Sequence, residues 1–121
     1  MVTKDDKRIQ TEVVTVASPG GYGSIKAYVA KPTNAEAYIN GKLPAVLVVH
    51  ENRGLNPHIE DITRRLALDG YLAFAPDALT PLGGYPGDED KARALFATLD
   101  QKKTLPDFIA AAAAWPRGCP T

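Results

Sequence analysis

A chain of 121 residues, 45% of them hydrophobic and 23% charged, can bury one core and is short for two domains. Lys+Arg and Asp+Glu number 14 each, which removes the electrostatic case for a nucleic-acid or anionic-membrane partner. The single cysteine, Cys119, excludes an internal disulfide framework, and no apolar run reaches the ~20 residues of a membrane-spanning helix.

The start, MVTKDDKRIQ, has no apolar stretch of the kind a secretory signal requires, so the expected location is the cytoplasm. Residues 1–11 are charged and read as a flexible N-terminus, with the domain itself beginning at Glu12. Glu12 to Ala17 alternates and is rich in β-branched residues, and Ser24 to Ala30 forms a second such run. Ser18-Pro19-Gly20-Gly21 lies between them, so the pair reads as a β-hairpin. Because Gly20-Gly21-Tyr22-Gly23 joins two strands and does not open a helix, it is not expected to cradle a phosphate. Lys31 to Lys42, with Pro32, Asn34, Asn40 and Gly41, reads as a loop.

Leu43 to Val49 is continuously apolar, the pattern of a strand buried on both faces in a sheet covered by helices. Asn56-Pro57 then offers a helix cap and a first-turn proline. Ile59, Ile62, Leu66 and Ala67 recur at helical spacing, and Gly70 stops the helix. Tyr71 to Ala75 is a second buried-type strand, which completes a βαβ unit with a right-handed crossover.

Two further helices follow. Ala92, Leu95, Phe96 and Leu99 form one apolar stripe between Asp88 and Asp100. Thr104-Leu105-Pro106-Asp107 resembles a capping box ahead of Leu105, Phe108, Ile109, Ala112 and Trp115. Only two buried-type strands precede Thr121, so the sheet is expected to lack its next buried strand.

The densest chemistry stands at the end of the first buried strand: His50, Glu51, Asn52 and Arg53, followed by Gly54. Ligands of open α/β sheets bind outside the carboxyl ends of the strands. Loop N–H groups there can stabilise an oxyanion, and Glu51 can act as a base or position a nucleophile. Glu51 and Arg53 could equally form an exposed pair of little consequence. His50, Glu51, His58, Glu60 and Asp61 are metal-ligand types, but HExxH is absent and no metal site is expected. Tyr85, in Gly83-Gly84-Tyr85-Pro86-Gly87, could line the same cleft. No nucleophile elbow is present: Cys119 sits in a Pro/Gly connector with neither the strand before it nor the helix after it.

His50-Glu51-Asn52-Arg53-Gly54-Leu55-Asn56, Leu68-Asp69-Gly70-Tyr71 and Ala75-Pro76-Asp77-Ala78-Leu79, in that order, resemble the dienelactone hydrolases, or carboxymethylenebutenolidases. The resemblance runs from about Val13 to Thr121. It implies an α/β class: an incomplete α/β-hydrolase fold with an N-terminal β-hairpin, a βαβ unit and two further helices, truncated before the nucleophile strand. Residues 12–121 would be the N-terminal part of that domain. By this resemblance Glu51 matches the glutamate that contacts and helps activate the family's nucleophilic cysteine. Asn52 matches the residue whose backbone N–H helps form the oxyanion hole. The family's Cys, Asp and His triad would lie beyond this sequence, which alone is then expected to be inactive.

No metal or organic cofactor is implied by the resemblance. Glu89 stands where the best-known member of the family carries a carboxylate-binding arginine, which leaves Arg53 as the candidate anion anchor and puts dienelactone specificity in doubt. The expected function is that of an N-terminal fragment of an ester or lactone hydrolase, acting on a small molecule together with a missing C-terminal half. The alternative is a non-catalytic remnant or binding module that associates through its open sheet edge.

Overall fold

A computed structural model describes residues 2–34 and 43–118, with the backbone alone over 114–118. Among these residues four strands form one mixed sheet: β1 (Ile9–Ser18), β2 (Gly23–Pro32), β3 (Ala45–Leu47) and β4 (Leu72–Asp77), in the spatial order β1-β2-β4-β3. The α-helices described with them are α1 (Pro57–Leu68), α2 (Glu89–Phe96) and α3 (Gln101–Gly118). The hairpin is antiparallel in unbroken register from Ile9 opposite Pro32 to Ser18 opposite Gly23. β2 also pairs antiparallel with β4, and β3 pairs parallel with β4 through the α1 crossover.

The alternation of side chains across the sheet sorts the core into layers. Ile25 and Val29 of β2 and Leu72 and Phe74 of β4 face one way, and with Val16, Leu43 and Ala111 of α3 they form one apolar cluster. Ala30 faces the other way and packs with Ile9, Val2 and Ala67 of α1. A third cluster closes the end of the sheet, where Ala78 and Leu79 meet Ala92 of α2 and Leu99.

Several boundaries differ from the sequence reading: β2 runs on through Lys31 and Pro32 of the expected loop, β4 spans Leu72–Asp77 in place of Tyr71–Ala75, and three others have a local cause. β1 starts at Ile9, three residues before Glu12, because Ile9 is buried and has Pro32 as a partner. The preceding segment is tied to α1: the Val2 N–H donates to Asp61 Oδ1 at 2.7 Å, and Arg64 Nε donates to the Val2 carbonyl. α3 starts at Gln101, so Thr104 does not cap it. The Lys102 N–H donates to Asp100 Oδ1, and the Thr104 hydroxyl bonds back to the Asp100 carbonyl, one turn behind. The expected strand at Leu43–Val49 is regular only over Ala45–Leu47, and its apolar residues are not all covered: Leu47 is 36% and Val49 57% exposed. β3 is an edge strand, and nothing among the described residues pairs with its outer side. Cys119 and the stretch 35–42 within the expected loop lie outside the described residues, as does the side chain of Trp115.

Asp107 has its own use. It is fully buried, and its Oδ1 accepts from the Ser18 hydroxyl at 2.5 Å and the Tyr22 N–H at 3.1 Å, which fastens α3 to the β1–β2 turn. The approach is so close that a Cβ on Gly21 would strike the Asp107 carboxylate and lie 2.6 Å from the Lys103 carbonyl. Asp107→Ala leaves the Ser18 hydroxyl and the Tyr22 N–H buried without this acceptor. It is expected to cost about 1–3 kcal/mol, read as a lower urea midpoint at unchanged slope.

Candidate active site

Parallel pairing of β3 with β4 brings two strand ends together, and the loops leaving them build the site. The ladder extends past β3 by one bond, from the Val48 N–H to the Phe74 carbonyl at 2.8 Å. The chain then turns sharply. The Gly54 N–H donates to the Glu51 carbonyl at 3.1 Å, closing a turn over residues 51–54, and the Asn56 N–H returns to the Gly54 carbonyl. Gly54 is required twice over: its φ is +79°, and a Cβ would come within 2.8 Å of Leu79 Cδ1.

Asn56 ends the loop and starts the helix, as its sequence position suggested. Its Oδ1 accepts from the Ile59 N–H at 3.0 Å, with Pro57 in the first turn. Its amide nitrogen reaches across to Glu89 Oε1 at 3.0 Å, and the other Glu89 oxygen pairs with Arg53 Nη1 at 3.2 Å. Glu89 thus ties the loop to the first turn of α2. Arg53 pairs with Glu89 and not with Glu51, and a guanidinium held by a carboxylate presents less net charge to an anion.

Glu51, Asn52 and Arg53 do come together. They line a cleft of 720 Å³ whose floor is apolar, from Val48, Val49, Ile59 and Ile62, and whose rim includes His58 and Arg93. This explains why Ile59 and Ile62 are only half-buried although their spacing marks them as core. The face of α1 toward the sheet is carried by Thr63 and Ala67, Asp61 is buried beneath the Val2 segment, and the isoleucines look over the cleft. The Glu51 carboxylate has no hydrogen-bond or ion-pair partner among the described residues, and neither has the Asn52 N–H.

Tyr85 is not part of that cleft. It stands on the far side of Gly54 and Leu55, in a separate hollow of 240 Å³ shared with Tyr28, Glu60 and Asp77. Among the described residues no group of histidine, cysteine and carboxylate side chains has the arrangement to hold a metal ion, and no helix is long and apolar enough to cross a membrane.

Sequence reasoning gave no role to Asp77, at the end of β4. Its Oδ1 accepts from the Leu79 N–H at 3.0 Å, and its carbonyl accepts from the Thr80 hydroxyl, which shapes the turn into the short 3₁₀ segment Thr80–Leu82. Burial pushes the Asp77 carboxyl above its ordinary value, against the opposing pull of the Leu79 N–H and of Lys26. Burial raises Glu60 as well.

The sequence matches the dienelactone hydrolase family over residues 25–120. It is 53% identical over 95 residues to the "Putative hydrolase fragment YghX" of Escherichia coli (strain K12), covering 78% of each chain. It is 42% identical over 77 residues to a "Putative carboxymethylenebutenolidase" of Salmonella typhi, covering 64% of this chain and 26% of that one. Among solved structures it superposes on a "Putative Dienelactone Hydrolase from Klebsiella pneumoniae subsp. pneumoniae MGH 78578" with a TM-score of 0.62 at 31% identity, covering 91% of this chain and 46% of that one. The mixed sheet with its flanking helices is therefore a partial α/β-hydrolase fold. The chain belongs to the dienelactone hydrolase family, as the resemblance around His50–Asn56 implied, and spans less than half the length of these longer relatives.

Two substitutions probe the site's framework. Gly54→Ala adds strain at a positive φ and a clash with Leu79, and is expected to cost about 2–4 kcal/mol in urea unfolding. For Asp77, a raised folded pKa means that the native state binds the proton more tightly. Stability is then lost as pH rises from the ordinary value of 3.8 through the raised one. Asp77→Asn keeps an acceptor for Leu79 and removes the buried charge. Its urea midpoint should exceed the wild-type value at about pH 7, and the gain should vanish near about pH 3.

Proposed function

We propose that this chain supplies the oxyanion loop and the modulating glutamate of an enzyme that cleaves a small ester or lactone. One observation carries the reading: the Asn52 N–H, unpaired among the described residues, and the partnerless Glu51 carboxylate lie on one cleft at the end of β3, beside the apolar Val48, Val49, Ile59 and Ile62. A donor aimed at a developing oxyanion works best when preorganised and poorly hydrated. An unpaired carboxylate next to it is free to take a proton from, or orient, a nucleophile. Arg53, on the cleft wall, is the proposed contact for a polar or anionic substrate group, with its charge moderated by Glu89. Tyr85 supports the same loop from behind Gly54.

The nucleophile is proposed to come from polypeptide outside this sequence, which contains neither G-x-C-x-G nor G-x-S-x-G. In that enzyme a thiolate adds to the carbonyl, the alcohol leaves, and water releases the acyl group. The single cysteine fits a reducing, cytoplasmic setting for such chemistry.

A second reading has its own support. The outer edge of β3 is unpaired among the described residues, and Leu47 and Val49 lie exposed beside it. A non-catalytic module that associates through this edge would cover both.

The two readings part in one assay. Residues 1–121 alone should not turn over p-nitrophenyl acetate above buffer. Joined to the region of the Klebsiella relative beyond the matched part, they should, and Glu51→Gln should then lower kcat by about 10²-fold or more. Turnover by residues 1–121 alone, lost in Glu51→Gln and kept in Cys119→Ser, would overturn the claim that the nucleophile lies elsewhere. An inactive joined protein, with 1–121 dimeric by sedimentation, would favour the binding module.

A further inference from the structure

We propose that His50 is the positioning residue of the oxyanion loop, holding the Glu51–Asn52 peptide so that its N–H faces the cleft. The inference rests on the role given above to Asn52. His50 is buried, and both of its ring nitrogens are engaged. Nε2 lies 3.0 Å from the backbone nitrogen of Ala78. A backbone N–H can only donate, so Nε2 must offer its lone pair, and in the neutral ring the proton is then on Nδ1. Nδ1 in turn lies 2.7 Å from the Glu51 carbonyl oxygen and donates to it. The chemistry of the two partners therefore selects one tautomer.

That carbonyl accepts twice, from His50 Nδ1 and from the Gly54 N–H, and the buried His50 ring is not among the residues that line the cleft. No cis peptide bond is present among the described residues, and in a trans peptide the N–H points opposite to the C=O. Holding the Glu51 carbonyl toward the ring thus turns the Asn52 N–H outward.

The ring itself cannot swing freely. Phe96 of α2 and Phe108 of α3 meet it edge-on, with centroids 6.1 and 5.9 Å away. Ala78, at the end of β4, fixes its other end. His50 relays the position of β4, α2 and α3 into one peptide plane.

A buried histidine that merely fills space predicts no particular tautomer and no effect on that plane. Nuclear magnetic resonance on the labelled 121-residue chain separates the two. The His50 ring should show a protonated Nδ1 and an unprotonated Nε2. The two bonds can also be removed one at a time, because an asparagine amide nitrogen can occupy the Nδ1 position and a glutamine side-chain oxygen the Nε2 position.

In His50→Asn the Glu51 carbonyl carbon and Asn52 nitrogen shifts should stay near wild type, while the Ala78 amide exchanges at least about tenfold faster. In His50→Gln the Ala78 amide should stay protected while those two shifts move. An Nε2-protonated ring in the wild type, or shifts at Glu51 and Asn52 indifferent to His50→Gln, would overturn the proposal. The ring measurement needs no substitution, so it decides even if both variants unfold. None of these readouts depends on turnover, so the loss of the hydrolase reading would show in the ester assay and not here.

Discussion

β4 is buried along its whole core length, from Leu72 to Pro76, and that constraint organises the rest of the molecule. A strand with no exposed face needs a layer on each side, and a parallel neighbour can be reached only by a crossover that supplies one of them. α1 is that crossover. Its inward face is made of small residues, Thr63 and Ala67, so it lies close against Ala30 and the alanines of β4. α3 covers the other face with Ala110 and Ala111 beneath Phe74 and Leu72. Small residues on both helices, against alanines on the α1 side of the sheet and Leu72 and Phe74 on the α3 side, let three layers close at short range.

Once β3 and β4 run parallel, their carboxyl ends and the loops leaving them share one end of the sheet, and the site follows from topology. Cross-links then remove the freedom that loops usually keep. Glu89 joins Asn56 and Arg53 to α2, and Asp77 caps the turn below. The ionic part of this frame is modest, because Arg53 and Glu89 are both about half exposed and water screens them. The hydrogen bonds of Asn56 are better shielded, since that residue is buried. It joins a helix cap, a loop and a second helix in one side chain.

Much of this was legible in the residues. The unbroken apolar run Tyr71–Ala75 read as a doubly covered strand, as β4 is from Leu72 to Pro76, and Asn56-Pro57 announced the start of α1 in the language of unpaired N–H groups. What periodicity could not show were contacts between segments far apart in the chain. Thr104 and Asp107 have the right types for a local capping box, yet Asp107 is claimed by Ser18, 89 residues away. Asp100, an equally good cap four residues earlier, takes the helix start. Tyr85 follows β4 at the same end of the sheet as the cleft loop, but it stands in a separate hollow beside Leu55. His50 looked like one polar residue among four. Its two partners, one adjacent and one 28 residues on, become visible only when β3 and β4 lie side by side.

The same logic explains the one place where pattern and packing disagree. Leu43 to Val49 has the composition of a strand with neighbours on both sides, and β4 gives it one. With the outer side of β3 open among the described residues, the regular ladder shortens to three residues, and Leu47 and Val49 keep their apolar surface in contact with solvent. Apolar area is worth roughly 25 cal/mol per Å² when it is covered. A strand laid against this edge would gain both that term and the unpaired backbone groups. It would also come close to the Glu51–Arg53 loop, because the cleft begins at Val48 and Val49, just past the end of β3. The edge that is least satisfied in the fold and the Glu51–Arg53 loop are therefore neighbours, and a strand that covered the one would border the other.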